Sequence, residues 1–306
     1  MGKSGFVSLV GRANVGKSTL INRLVGKKIS ITSPRPQTTR NRIIGVKTGP
    51  FGQVVFMDTP GVAFHKSALS KSMIQAAEQA GAECDLAVFM ADATNHDIEG
   101  DKATIKHLRL DAGRMEGGTA DSGAGVILAI NKVDAVPKLS LLELIDELRG
   151  LAPFQEIIPI SAKTGENVDK LFELILDRMP EGPAYYPEDM TTDQPENFVI
   201  GETVREKAFL HLGQEMPYSV AVEVESLEEK PGLAVVILTL YVERDSQKGI
   251  VIGKGGAMLK KIGSSARREL ERRLGVKVFL DIQVKVKEKW TSNRRAFRDF
   301  GYGSDK

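Results

Sequence analysis

Two folded units are predicted: an α/β domain with a mixed, mostly parallel sheet and helices on both faces, then a smaller α+β domain. Three observations predict them. Short apolar runs alternate with helical patterns to about residue 180, a proline-broken stretch without apolar period follows, and beyond it the pattern restarts as helix, strand, strand, helix, helix, strand. The 306 residues, 42% hydrophobic and 27% charged, suffice for two ordinary soluble domains.

The first strand, Phe6-Val7-Ser8-Leu9-Val10, runs into Gly11-Arg12-Ala13-Asn14-Val15-Gly16-Lys17-Ser18, and a helical pattern from Ser18 to Val25 follows. Strand, Gly-loop and helix in this order form a phosphate cradle. Gly11 and Gly16 let the backbone close on phosphate oxygens, so that amides and the helix amino end face a highly charged anion. Gly11, Asn14, Val15, Gly16, Lys17, Ser18 and Thr19 are the candidate contacts. Lys17 reaches the β and γ phosphates, and the Ser18 hydroxyl suits Mg2+.

Strand candidates at residues 43–48 and 53–57 are joined through Thr48-Gly49-Pro50-Phe51-Gly52, a hairpin-like turn, so one edge strand is expected to be antiparallel. The second of them delivers Asp58-Thr59-Pro60-Gly61. Asp58 can hold Mg2+ through water, and Gly61 can offer an amide to the γ phosphate. Ahead of this hairpin, Ser33-Pro34-Arg35-Pro36-Gln37-Thr38-Thr39-Arg40-Asn41-Arg42 is polar and proline-broken and is expected to be a mobile switch. One of its threonines, Thr39 in preference to Thr38, would add a second hydroxyl to Mg2+. Lys17, Thr39 and Gly61 are therefore the catalytic candidates.

Further strands at 86–91, 126–130 and 157–160 complete the sheet. The strand at 126–130 ends in Asn131-Lys132-Val133-Asp134. A carboxylate there accepts from guanine N1 and N2, whereas adenine lacks the 2-amino group, so Asp134 selects GTP over ATP. The strand at 157–160 ends in Ser161-Ala162-Lys163, where a backbone amide can meet guanine O6. Singly such runs are weak signals. In this order, each after an apolar strand, they define a P-loop GTPase domain. Residues 112–125, rich in glycine and small polar residues, read as a surface insertion.

Residues 181–196, with several prolines and the pair Tyr185-Tyr186, are expected to link domain 1–180 to domain 197–306, the tyrosines packing against the folded units. In the second domain Phe198 to Leu212 has helical spacing, Tyr218 to Glu225 alternates, and Leu233 to Val242 is a long β-branched run. Ile250-Val251-Ile252 leads into Gly253-Lys254-Gly255-Gly256, a helix pattern from Ala257 to Leu274 and a last strand from Val278 to Val286. A GxxG loop between helices in this order marks a type II KH domain, in which a sugar-phosphate chain lies against main-chain amides. Ile250, Ile252, Met258 and Ile262 are the expected apolar groove for bases.

The net charge of +2 hides an asymmetry. From Asn197 onward there are 20 Lys and Arg against 15 Asp and Glu, and from Lys254 to Arg298 there are 14 against 4. RNA is expected at this end, with Ile252, Gly253, Lys254, Gly255, Gly256, Lys260, Lys261, Arg267, Lys289 and Arg294 as contacts. Trp290 and Phe297 either stack on bases or anchor the end of the last strand, anchoring being the better reading. Cys84 is the single cysteine, which excludes an internal disulfide and a four-cysteine zinc site and suits core packing. The four histidines show no ligand spacing. No apolar run approaches the length of a membrane span and Met1-Gly2-Lys3-Ser4-Gly5 enters the first strand at once, so neither secretion nor a membrane span is expected.

Asn14 in the phosphate loop, Gln37-Thr38-Thr39-Arg40, Asp58-Thr59-Pro60-Gly61, Asn131-Lys132-Val133-Asp134, Ser161-Ala162-Lys163, the GxxG loop and the tail Lys285 to Trp290 and Arg294 to Arg298 together resemble the Era GTPases of ribosome assembly over nearly the whole chain. The resemblance implies GTP/GDP and Mg2+ as ligands and K+ beside the phosphates, where Asn14 is similar to the asparagine that helps hold it. It implies the 3′ end of small-subunit ribosomal RNA and the small subunit itself as partners. A monomer, cytoplasmic or weakly attached to the inner face of the membrane, is expected. Val62 stands where Ras-like enzymes carry a water-orienting glutamine, so hydrolysis is expected to be slow until K+, RNA or a partner completes the site. The insertion at 112–125 departs from the family pattern. Two rival readings are a lipid-surface regulator and a tRNA-modifying GTPase. No amphipathic apolar face accompanies the basic tail, and residues 197–306 hold no cysteine nucleophile.

Overall fold

The computed structural model describes residues 2–33, 35, 38–59, 84–110, 125–213, 216–292, 300 and 302. Chain contacts divide them into two compact units, one ending at Asp193 and one starting at Gln194.

In the first unit the order is β1 (Lys3–Gly11), α1 (Lys17–Val25), β2 (Ile43–Gly49), β3 (Gly52–Asp58), β4 (Leu86–Asp92), α2 (Ile98–His107), β5 (Gly125–Asn131), α3 (Lys138–Leu148), β6 (Glu156–Pro159) and α4 (Val168–Asp177). The strands lie as β2-β3-β1-β4-β5-β6. Among the described strands only β2 runs antiparallel, because the Gly49–Gly52 turn returns the chain directly beside it with Val46 opposite Val55. The central strands β4 and β5 are apolar up to their last residue because both faces are covered. Val7, Leu9, Phe56, Val88 and Ile127 pack under α1 and α4, and the alternating set Val10, Val55, Phe89, Leu128 and Ile130 under α2 and α3. The parallel strands all end at one edge of this sheet, which places Gly11, Asp58 and Asn131 together at the crevice where such sheets bind ligands.

Residues 180–192 are part of this unit, so most of the stretch expected to link two domains is a strap hydrogen-bonded to the first. Ser4 N donates to Pro180 O at 2.8 Å and Val46 N to Thr191 O at 3.0 Å. Between them the Gln53 side chain accepts from the amides of Tyr185 and Tyr186, both at 2.8 Å, and donates to Tyr186 O at 2.9 Å. The Tyr185 ring lies 4.7 Å from that of Phe6.

The second unit runs α5 (Glu196–His211), β7 (Ala221–Lys230), β8 (Leu233–Val242), α6 (Asp245–Ile252), α7 (Ala257–Leu274) and β9 (Lys277–Val286). β7 and β8 form an antiparallel pair, whereas β9 joins β8 in parallel after the α6–α7 crossover. One face of this sheet, with Val236, Leu238 and Leu240, packs on Ile200 and Val204 of α5 and on Ile262, Ala266 and Leu270 of α7. Charges buried with α5 are paired, as burial requires: Arg205 with Glu202, and Lys207 with Glu206 and with Glu269 of α7. No described helix is long and apolar enough to cross a membrane.

Candidate functional site

Between β1 and α1 the chain turns at Gly11 (φ 144°), Asn14 (φ 65°) and Gly16 (φ 105°), the last at the amino end of α1. A side chain at Gly16 would collide with the Asn131 amide. Lys17 leaves the first helical position and bends back over the loop, donating to Gly11 O at 3.1 Å and Arg12 O at 2.9 Å. It thereby closes the loop that its ammonium must serve. Burial pushes the Lys17 pKa down from 10.5 to about 8, against the opposing attraction of Asp58.

Facing Lys17, Asp58 is fully buried at the end of β3. Its Oδ2 accepts from Ser18 Oγ at 2.7 Å and from Ser30 Oγ at 2.8 Å, while Ser18 Oγ and Thr39 Oγ1 are 2.9 Å apart. Burial raises the Asp58 pKa against the pull of Lys17 and these two hydroxyls. Thr38 turns away and donates to Arg35 O at 2.8 Å. The structure thus brings Ser18, Thr39 and Asp58 to one point. Asp58 Oδ1 is buried there without a hydrogen-bond partner, as an oxygen awaiting a metal-bound water would be. These residues fit Mg2+: the Ser18 and Thr39 hydroxyls would ligate it, with Asp58 holding it through water. When bound, the ion would neutralise phosphate charge.

The residues expected to meet the base converge on the same edge. Asn131 donates to Val15 O at 2.7 Å and accepts from Ala162 N at 2.8 Å, so its amide staples the phosphate loop to the Ser161–Lys163 turn. Guanine O6 would have to share the Ala162 amide with it. Lys132 takes φ 69° and pairs with Asp92 of β4. Asp134 is oriented by Ser161 Oγ, 2.7 Å from its Oδ1, which leaves the second oxygen for a guanidine-like donor edge. Lys163 and Ala162 are held through their carbonyls by Arg23 of α1. Thr19 follows Ser18 in the first turn of α1 and is half-buried. Gly61 and Val62 lie outside the described residues.

In the second unit Gly253 (φ 72°), Gly255 (φ 60°) and Gly256 (φ 77°) carry the chain from α6 to α7. Gly256 caps α7, so the loop presents amides and a helix amino end. Lys254, Lys260, Lys261, Arg267 and Lys289 are exposed, and Ile252 is half-buried. Arg294 and Phe297 lie outside the described residues. A groove of about 480 Å3 opens beside the loop, lined by Gly256, Leu259, Lys260, Arg267, Phe279 and Ile282 among others. The expected apolar groove was Ile250, Ile252, Met258 and Ile262, and this is corrected: none of the four lines this groove, Ile262 is fully buried on the inward face of α7, and Leu259 with Phe279, Leu280 and Ile282 of β9 supplies the apolar wall instead. Trp290 is also fully buried, donating through Nε1 to Ser219 O at 3.0 Å and packing edge-on against Phe300, so it anchors the chain after β9.

Family models match both units: that of the 50S ribosome-binding GTPases over residues 6–132, and that of the KH domain over residues 215–291. The GTPase Era of Geotalea daltonii is 48% identical over 300 residues, covering 98% of this chain and 97% of that protein. The chain belongs to the Era family of GTPases. Era of Heliobacterium modesticaldum is 44% identical over 98% of this chain and 97% of its own length. Crystal structures of Era from Aquifex aeolicus bound to GDP and AlF4−, and of Era with MgGDPNP and nucleotides 1506–1542 of 16S ribosomal RNA, are each 40% identical to this chain. Each superposes with a TM-score of 0.91 over 99% of this chain and 100% of the other.

Several residues that shape this Era-family site carry no motif. Ser30 reaches Asp58 from a loop, and Asp92 reaches Lys132 from the neighbouring strand. Arg12 of the phosphate loop is held by the buried Asp101 of α2 at 2.7 Å. Each contact spans 28 to 89 residues of sequence, and the partners are common polar residues, so nothing local marks them.

Proposed function

We propose that this GTPase is a nucleotide-controlled switch that holds the 3′ end of small-subunit (16S-type) ribosomal RNA in its KH groove during assembly of that subunit. The observation that carries the reading is the Ser18–Thr39–Asp58 cluster, which makes the Thr39 loop responsive to a γ phosphate, on the same chain as the basic GKGG loop and its groove. The 16S ribosomal RNA bound to Era supports the choice of RNA. GTP would order the Thr39 and Asp58 loops and favour RNA binding, and hydrolysis would release the particle. Reciprocity requires RNA to tighten GTP binding by the same factor.

Hydrolysis is slow in this reading until K+, held beside the phosphates through Asn14, or RNA completes the site. The protein acts as a cytoplasmic monomer with weak peripheral membrane attachment at most. Binding of a short RNA ending in the small-subunit 3′ sequence, with a non-hydrolysable GTP analogue and with GDP, tests the switch. Tighter binding with the analogue is expected, and equal binding in both states would overturn the coupling. Flotation with anionic liposomes at physiological salt should leave the protein largely unbound; strong flotation would favour a lipid-surface role.

A further inference from the structure

We infer that the outer face of α3 docks a basic amphipathic helix of a protein partner on the ribosomal particle. α3 buries Leu144 and Leu148 against the sheet, yet its other side leaves Leu139 79% and Leu142 62% exposed. Spaced i and i+3, these two leucines are neighbours on one stripe, the spacing with which helix-binding surfaces are read. Ordinary scattered surface leucines need no explanation. Here both stand on consecutive turns of one helix, where polar residues would cost nothing.

Charge decides the occupant. Around the leucines stand the exposed carboxylates of Glu143, Asp146 and Glu147, against Lys138 within the helix and Arg149 just after it, the last 3.1 Å from Asp146. Residues before Asn197 carry 22 basic and 25 acidic side chains. Such a face offers a polyanionic RNA no net positive charge, whereas a helix with apolar residues flanked by Lys and Arg matches both its leucines and the carboxylates of Glu143 and Glu147, which no basic side chain in this helix pairs. The face follows the expected guanine-recognition turn directly, with four residues between Asp134 and Leu139.

This inference rests on the proposed binding to the small-subunit particle, and the experiment separates the two. Full-length protein with a non-hydrolysable GTP analogue is co-sedimented with purified small subunits and, separately, titrated with the naked 3′-terminal RNA. Two variants are compared with wild type: Leu139→Ser with Leu142→Ser, and Glu143→Lys with Glu147→Lys. All four positions are exposed, and thermal melting of each variant serves as the check that it folds. Each variant should bind particles about tenfold more weakly, with naked-RNA affinity kept within about twofold. If wild type fails to bind particles, the proposed function falls first and the inference with it. Unchanged particle binding by the variants, or an equal loss on naked RNA, would overturn the inference alone. Wild type that self-associates while the leucine variant is monomeric and binds particles normally would assign the face to a second copy, also against it.

Discussion

The side-chain amide of Asn131 donates to the Val15 carbonyl at 2.7 Å and accepts from the Ala162 amide at 2.8 Å, so one residue at the end of β5 locks two loops that must meet the same nucleotide. Asn131→Ala leaves a buried carbonyl and a buried N–H without partners. Affinity for GDP should fall by about 10- to 100-fold, the loss expected for roughly 2 kcal/mol of disordered loop contacts. Titration with a fluorescent guanine nucleotide checks this. An affinity within a factor of two of wild type would show that the loops hold their shape without the staple.

Lys17 titrates at about 8 rather than 10.5, so between those values the unfolded chain holds a proton that the folded chain has released. Stability from this group therefore rises with pH across the window, and below about 8 the full cost of the buried ammonium is present. Lys17→Met should stabilise the nucleotide-free protein by about 1–3 kcal/mol at pH 7, with the difference shrinking as pH approaches 10. The same variant should lose GTP binding. Equal denaturation midpoints for the two proteins at pH 7 would argue that Asp58 and the loop carbonyls fully compensate the buried charge.

Phosphate bound in the loop would add negative charge beside Lys17 and hold its proton. GTP affinity is thus expected to be complete below pH 8 and to decline as pH climbs past that value, by up to about tenfold per pH unit. Binding isotherms from pH 7 to 9.5, compared with Lys17→Arg, would expose the dependence. A flat profile would mean that the ammonium stays protonated throughout.

The GKGG loop gives two different outcomes for the same chemistry. A Cβ at Gly253 would lie 2.8 Å from Met258 Cβ, whereas Gly256 has open space and only its φ of 77° to contend with. Gly256→Asp should cost about 1–2 kcal/mol of stability and reduce RNA affinity at least about tenfold. Gly253→Asp should both weaken RNA binding and destabilise the second unit further. Thermal melts and RNA titrations on the pair separate folding from binding.

Trp290→Ala removes a fully buried indole and its bond to Ser219 O. A loss of about 3–5 kcal/mol in the second unit is expected, read by thermal unfolding. RNA affinity measured well below the melting point should remain. If stability holds and RNA binding falls instead, the indole stacks on a base.

What was legible in the sequence was whatever local spacing encodes. The phosphate loop, Asp58, Asn131 to Asp134 and the GKGG loop are each short runs at the end of an apolar strand or helix, where backbone geometry dictates residue type. Ile262 shows where this stops: the helical spacing that places it with Ala266 and Leu270 is a statement about the core, and the groove wall comes from β9, the next element, whose position against α7 is set by its pairing with β8. Ser30, Asp101 and Gln53 were invisible because a lone polar residue announces no partner. Composition alone reads residues 181–196 as a linker, since prolines signal irregular backbone and say nothing of what that backbone binds.

The Gln53-clasped strap has a practical meaning for anyone cutting this chain. Thr191 and Thr192 sit along the outer side of β2, where Val46 N donates to Thr191 O and Gly45 bridges Thr192. A fragment ending at residue 180 would strip that cover and leave an apolar edge strand with bare amides, a template for intermolecular pairing. Such a truncated nucleotide-binding unit should precipitate on concentration, while one extended to residue 193 should stay in solution.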